Sequence, residues 1–130
     1  MRSTLPISSG EDVVRVRQEV RTLAVAVGFS LVDQTKFVTA ASELARNTLH
    51  HGGGGQVHLE TFEMGAKKGV RLIFEDDGPG IPDVDRALQD GYTTGSGLGL
   101  GLSGARRLSN EFKIDSALGK GTRVTIARWK

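Results

Sequence analysis

Glu43 and Asn47 stand four residues apart in "SELARN". On a helix that spacing stacks their side chains one turn apart on the same face. A carboxylate so placed can take a proton from a nucleophile or orient it. The amide oxygen of an asparagine suits a hard, oxygen-seeking cation such as Mg²⁺. Thr39 below and His51 above lengthen the polar stripe, beside an apolar one. The same pattern also fits a plain solvated helix face.

A third candidate is Asp76, which ends the run "KKGVRLIFED". Val70, Leu72 and Phe74 share its parity, so on a strand Asp76 points to the face those apolar groups bury. A carboxylate there needs a partner, because an unpaired buried charge is costly. A donor such as the amino group of adenine fits, and so do the backbone N–H groups of the following "GPG" in an Asx-type turn. The segment "EDDGPGIPD" carries Gly78 and Gly80 for close backbone approach or positive φ, with Pro79 and Pro82 stiffening the loop around Ile81.

A second glycine cluster, "GSGLGLGLSGARRL", follows within a few residues. Gly99, Gly101 and Gly104 match G-x-G-x-x-G, but no apolar strand leads into them and no acidic residue follows at the dinucleotide spacing. No Walker phosphate loop is present. What remains is glycine-rich backbone opening a helix, which offers free N–H groups to an anion. Arg106 and Arg107, later in that helix, read as surface or partner-contact groups. "GKGT" at Gly119–Thr122 reads on its own as a hairpin turn. His50, His51 and His58 have no metal-ligand spacing and read as structural or surface groups; Trp129 reads as packing.

The elements that must position these groups follow from periodicity. Thr4–Ile7 is a candidate edge strand. Ser9 caps a helix carrying Val13, Val16, Val20, Leu23 and Val27 at helical spacing and closed by Gly28. A second helix starts at Ser30, with Asp33 as an alternative cap, and runs to about His50, where "GGGG" stops it. Strands at 56–63 and 70–76 form a hairpin, a helix covers about 100–110, and strands at 112–118 and 122–129 form another hairpin. Helices set apart from hairpin-linked strands give an α+β fold, one helical layer on a mixed sheet.

The 130 residues suffice for one domain, 1–130. The charge of +2 is spread among interspersed acidic and basic residues, without the Lys/Arg block or basic-aromatic platform of a nucleic-acid binder. With no cysteines, no apolar span and no apolar signal core, the expectation is a cytoplasmic protein that engages neither membrane nor nucleic acid.

In order, Glu43-x-x-x-Asn47, Asp76-x-Gly78-x-Gly80, Gly95-x-Gly97-x-Gly99 and Gly121-Thr122 resemble the four boxes of the GHKL (Bergerat) ATP-binding fold, over nearly the whole chain. "SELARN" and "DGPGIPD" look most like the RsbT-type switch-protein serine/threonine kinases. The resemblance implies a two-layer α/β sandwich with ATP and Mg²⁺ as cofactors. Asn47 would hold Mg²⁺, and Asp76 would bind the adenine amino group with support from Thr122. Gly78, Gly80 and Ile81 would line the base. Thr94, Gly95, Ser96, Gly97, Leu98, Gly99, Leu100 and Gly101 would surround the phosphates, with 83–94 as a mobile lid. Glu43 would be the base for the accepting hydroxyl. Substrates would be STAS-domain proteins of a stressosome, with a protein phosphatase activated on release.

Three other readings are open. An anti-sigma factor of the same fold would sequester a sigma subunit. A nucleotide-binding module without catalysis would act by docking, against which an intact Glu43 and Asn47 argue. A detached histidine-kinase domain would carry a Phe-rich box and an upstream phospho-acceptor helix pair, neither of which is expected here.

Overall fold

The computed structural model describes residues 2–81, 83–88 and 101–130. Strand β1 (Arg2–Ile7) leads into helices α1 (Gly10–Ala26) and α2 (Leu31–His50), then strands β2 (Gly55–Met64) and β3 (Lys67–Asp76). A single helical turn, α3 (Val84–Ala87), and the short α4 (Leu102–Arg107) precede strands β4 (Glu111–Ser116) and β5 (Thr122–Trp129). The helix starts are set locally. Ser9 accepts a hydrogen bond from the Asp12 N–H at 3.3 Å, and Ser30 from the Asp33 N–H at 3.1 Å, caps worth about 1 kcal/mol each.

The sheet order is β1-β2-β3-β5-β4, and every pair is antiparallel. The mixed sheet expected from sequence is therefore corrected. β3 and β4 do run in the same direction, joined through the α3–α4 region. But β5 turns back from β4 and lies between them, so no two parallel strands touch. The final helix is also shorter than expected, and the turn α3 was not anticipated.

α1 and α2 pack on one face of the sheet. Val16, Val20, Phe37, Ala41 and Leu44 meet Val57, Leu59, Val70, Leu72, Phe74 and Ile126, all essentially excluded from solvent. Burying a large aliphatic or aromatic side chain of this kind contributes roughly 1.5–3 kcal/mol. Phe29, in the turn between the helices, stacks edge-on against Phe37 with ring centroids 6.3 Å apart. The opposite face carries a polar ladder instead of helices: Glu60 and Glu111 flank Arg71 at 3.2 and 3.7 Å, and His58 pairs with Glu75 at 2.6 Å. Phe62 and Trp129 form an edge-on pair near one end of the sheet.

Candidate nucleotide site

The site forms where α2 ends and the strand ends meet it. Asn47 lies in the last turns of α2 and is buried, 7% exposed, yet its side-chain Oδ1 has no partner among the described residues. An unsatisfied buried oxygen costs about 1–3 kcal/mol. Ser42 Oγ, on the same helix, is likewise buried without a partner among the described residues. The backbone carbonyl of Asn47 takes the N–H groups of His51 (2.9 Å) and Gly52 (3.1 Å), which closes the helix and sends the chain through the glycine run.

Gly52 is the hinge of the arrangement. A Cβ there would collide with the carboxylate of Asp76, so glycine leaves the space that Asp76 fills. Asp76 Oδ1 accepts the Gly78 N–H at 2.9 Å. The Asx-type turn anticipated from sequence is thus formed by one oxygen of the carboxylate. Burial raises the pKa of Asp76, opposed by the Gly78 N–H, by the His51 charge and by the Thr122 N–H. Thr122 is the register partner of Asp76 across β3–β5, and Ser116 is that of Thr122 across β4–β5.

The loop after Asp76 is pinned from two sides. Gly80 offers its carbonyl to His51 Nε2 at 3.2 Å, and the Ile81 N–H donates to Ser116 Oγ at 2.8 Å. The Gly119 N–H reaches Pro79 O at 2.7 Å. The Ile81 side chain goes into the core, 2% exposed, so what it gives the site is an anchor for this loop. The start of the expected lid is also packed: Asp83 caps α3 by accepting the Arg86 N–H at 3.0 Å, and Ala87 is buried.

Glu43 is half-buried, and Arg46 approaches it at 3.4 Å, an exposed contact of little energetic weight. Its carboxylate and Cβ abut Gly101, whose φ of +70° and missing Cβ let α4 start against them; a Cβ would sit 2.7 Å from Glu43 Oε2. The described contacts therefore run from Gly101 to Glu43, one helical turn on to Asn47, then through Gly52 to Asp76, Thr122 and Ser116. Thr94, Gly95, Ser96, Gly97, Leu98, Gly99 and Leu100 lie outside the described residues.

A cleft of about 780 Å³ opens at this end of the sheet, lined by Gly52–Gly55, Asp76, Asp77, Lys120 and Thr122 and reaching Arg123 on the outer face. Its size suits a small ligand. Glu43 and Asn47 do not line it; they lie on its helical side. Sequence reasoning missed Gly52 and Ser116, and placed His51 in the polar stripe of α2 as a structural or surface group without its Gly80 partner. Gly52 read as a helix stop, and the contacts of the other two reach across 29 and 35 residues. Among the described residues, no cluster of three or more His, Cys, Asp or Glu could hold a metal, and no helix is long and apolar enough to cross a membrane.

Helices on one face of an antiparallel sheet, with an acidic strand end beneath a glycine-bordered helix terminus, make an α+β sandwich. Residues 32–130 match the family of histidine kinase-, DNA gyrase B-, and HSP90-like ATPases. The chain belongs to that family, and within it groups with the serine/threonine-protein kinase RsbT of Bacillus subtilis (strain 168). It is 43% identical to that protein over 98% of this chain and 96% of the relative. It is also 32% identical to an anti-sigma F factor of Clostridium novyi (strain NT), over 82% of this chain and 81% of that one. Among solved structures, the RsbU and RsbW domains of Rv1364c from Mycobacterium tuberculosis share the fold, with a TM-score of 0.66 and 23% identity. That match covers 99% of this chain and 32% of the longer Mycobacterium chain. The catalytic domain of the histidine kinase ThkA shares the fold too, at a TM-score of 0.55 and 18% identity, covering 98% of this chain and 96% of that one.

Proposed function

We propose that this chain is an ATP- and Mg²⁺-dependent serine/threonine protein kinase acting on STAS-domain regulatory proteins in a cytoplasmic partner-switching pathway of the stressosome type. The observation that carries the proposal is the buried Oδ1 of Asn47, unpartnered among the described residues, one turn from Glu43 and joined through Gly52 to Asp76. The 43% identity to a serine/threonine kinase over nearly the full chain supports it. A protein phosphatase, activated on release, is the proposed downstream target.

Asp76 would accept a hydrogen bond from the adenine amino group with its oxygen not held by Gly78. Gly78 and Gly80 would line the base with backbone, their missing Cβ atoms being what lets the loop pack on the Gly52 and Ala117 backbone. Asn47 would hold Mg²⁺ through Oδ1, and the chemistry supplied there would be neutralisation of charge building on the phosphates. Glu43 would accept the proton of the incoming serine or threonine hydroxyl. The hydroxyl oxygen would then bond to the γ-phosphorus as its bond to the bridging oxygen breaks, releasing ADP. Most of the catalysis is positioning, so few side chains are required.

Replacing Glu43 with Ala tests this directly. Transfer to a STAS protein should fall by at least about 10²-fold, the usual worth of a general base, while ATP affinity holds. Undiminished transfer would remove Glu43 from the chemistry. The anti-sigma F relatives support a second reading, sequestration of a sigma factor. Pull-downs against sigma factors and STAS proteins from the same genome separate the two.

A further inference from the structure

Ser116 touches three groups at once. Its Oγ accepts the Ile81 N–H at 2.8 Å, and lies 2.9 Å from both the Gly121 carbonyl oxygen and Thr122 Oγ1. The hydroxyl has one proton to give. If it goes to Thr122, Ser116 Oγ and Gly121 O are left in contact with no proton between them. If it goes to Gly121 O, Thr122 must donate its own proton to Ser116, and all three contacts are satisfied. Only the second arrangement leaves no oxygen pair unbridged.

With its proton given to Ser116, Thr122 keeps only lone pairs for any further partner. Asp76, when ionised, is also purely an acceptor. Both side chains stand in one cross-strand row, Ser116–Thr122–Asp76. The side chains of the row thus offer acceptors only, the Gly78 and Thr122 N–H groups being taken up by Asp76, which suits an exocyclic amino group with two N–H donors. A purine bearing a carbonyl oxygen at that position would bring an acceptor against acceptors, and a site built for donors rejects such a base strongly.

We infer that Ser116 is a specificity-determining positioning residue, which fixes the proton of Thr122 and so selects adenine over guanine nucleotides. The inference rests on the base-pocket reading of Asp76 and Thr122. It makes Ser116 more than an anchor for the Ile81 loop, and the two roles give different results.

The test is the ratio of ATP to GTP affinity, measured by displacement of a fluorescent ATP analogue from the full chain. Ser116→Ala should narrow that ratio by about tenfold, the worth of one hydrogen-bond preference, and Ser116→Thr should restore it. In a Thr122→Ala background, Ser116→Ala should leave the ratio unchanged. If Ser116→Ala does not fold, Ser116→Cys, a weaker donor and acceptor, should narrow the ratio in the same direction. Equal losses of ATP and GTP affinity in Ser116→Ala would reduce Ser116 to a loop anchor and overturn the inference alone. A wild type that binds both nucleotides equally well would overturn the base-pocket reading and this inference with it.

Discussion

Gly52→Ala should weaken ATP binding by displacing Asp76. Gly52 does not have positive φ, so alanine brings no backbone strain. Its Cβ nevertheless lands on the Asp76 carboxylate, which must move. In the proposed pocket, displacing Asp76 would remove one hydrogen bond from the base amino group to a charged acceptor, worth about 1.5–3 kcal/mol. That is roughly 10- to 100-fold in affinity. Gly65, in the β2–β3 turn away from the cleft, is the control. It has φ of +62° and nothing within 4 Å of a Cβ, so Gly65→Ala should cost about 1 kcal/mol of stability through backbone strain and leave ATP affinity alone. Calorimetric ATP titration together with thermal melts of both variants separates the two effects. If Gly52→Ala binds ATP within about twofold of wild type, where roughly tenfold or more is expected, Asp76 does not contact the base.

Two further predictions concern pH and stability. Burial raises the pKa of Asp76. The stability this proton uptake contributes is present below the ordinary carboxylate value of 3.8 and is lost as pH rises through the raised folded value. At neutral pH the ionised carboxylate thus opposes folding. Asp76→Asn should raise the melting temperature of the nucleotide-free protein near neutrality while weakening ATP binding, and melts repeated toward acid should show the gain disappear. Asp33 has the opposite sign. Its hydrogen bond from Arg128, at 2.8 Å, lowers its pKa. The stabilisation is present above 3.8 and lost as pH falls through the depressed folded value. Asp33→Asn should melt lower than wild type at neutral pH, with the difference closing in acid; a constant difference would mean the Arg128 contact is not its source.

What could be read from sequence was local, and what could not was long-range. Ser9 and Ser30 announced their caps because a cap needs only the next three residues. Asp76 announced its face because strand parity carries it from Phe74. The glycine runs announced the turns. Insertion of β5 between β3 and β4 left no local mark, since nothing in "GKGT" says which neighbour its second strand will choose. Gly52 looked like punctuation; its contact with Asp76 exists only once β3 is docked beside the end of α2. His51 and Ser116 look like ordinary polar residues until Gly80 and Ile81 are brought to them. Asn47 was legible as a helix-face amide, but its burial, and an oxygen with no partner among the described residues, required the packed fold.

The central claim is phosphoryl transfer to a protein hydroxyl, and one measurement addresses it most directly. The chain is incubated with γ-labelled ATP, Mg²⁺ and STAS proteins from the same genome, with Asn47→Ala alongside. The expected result is acid-stable label on a STAS serine or threonine, absent with Asn47→Ala. Acid-labile label on histidine, or ATP binding with no label on any STAS protein, would contradict it.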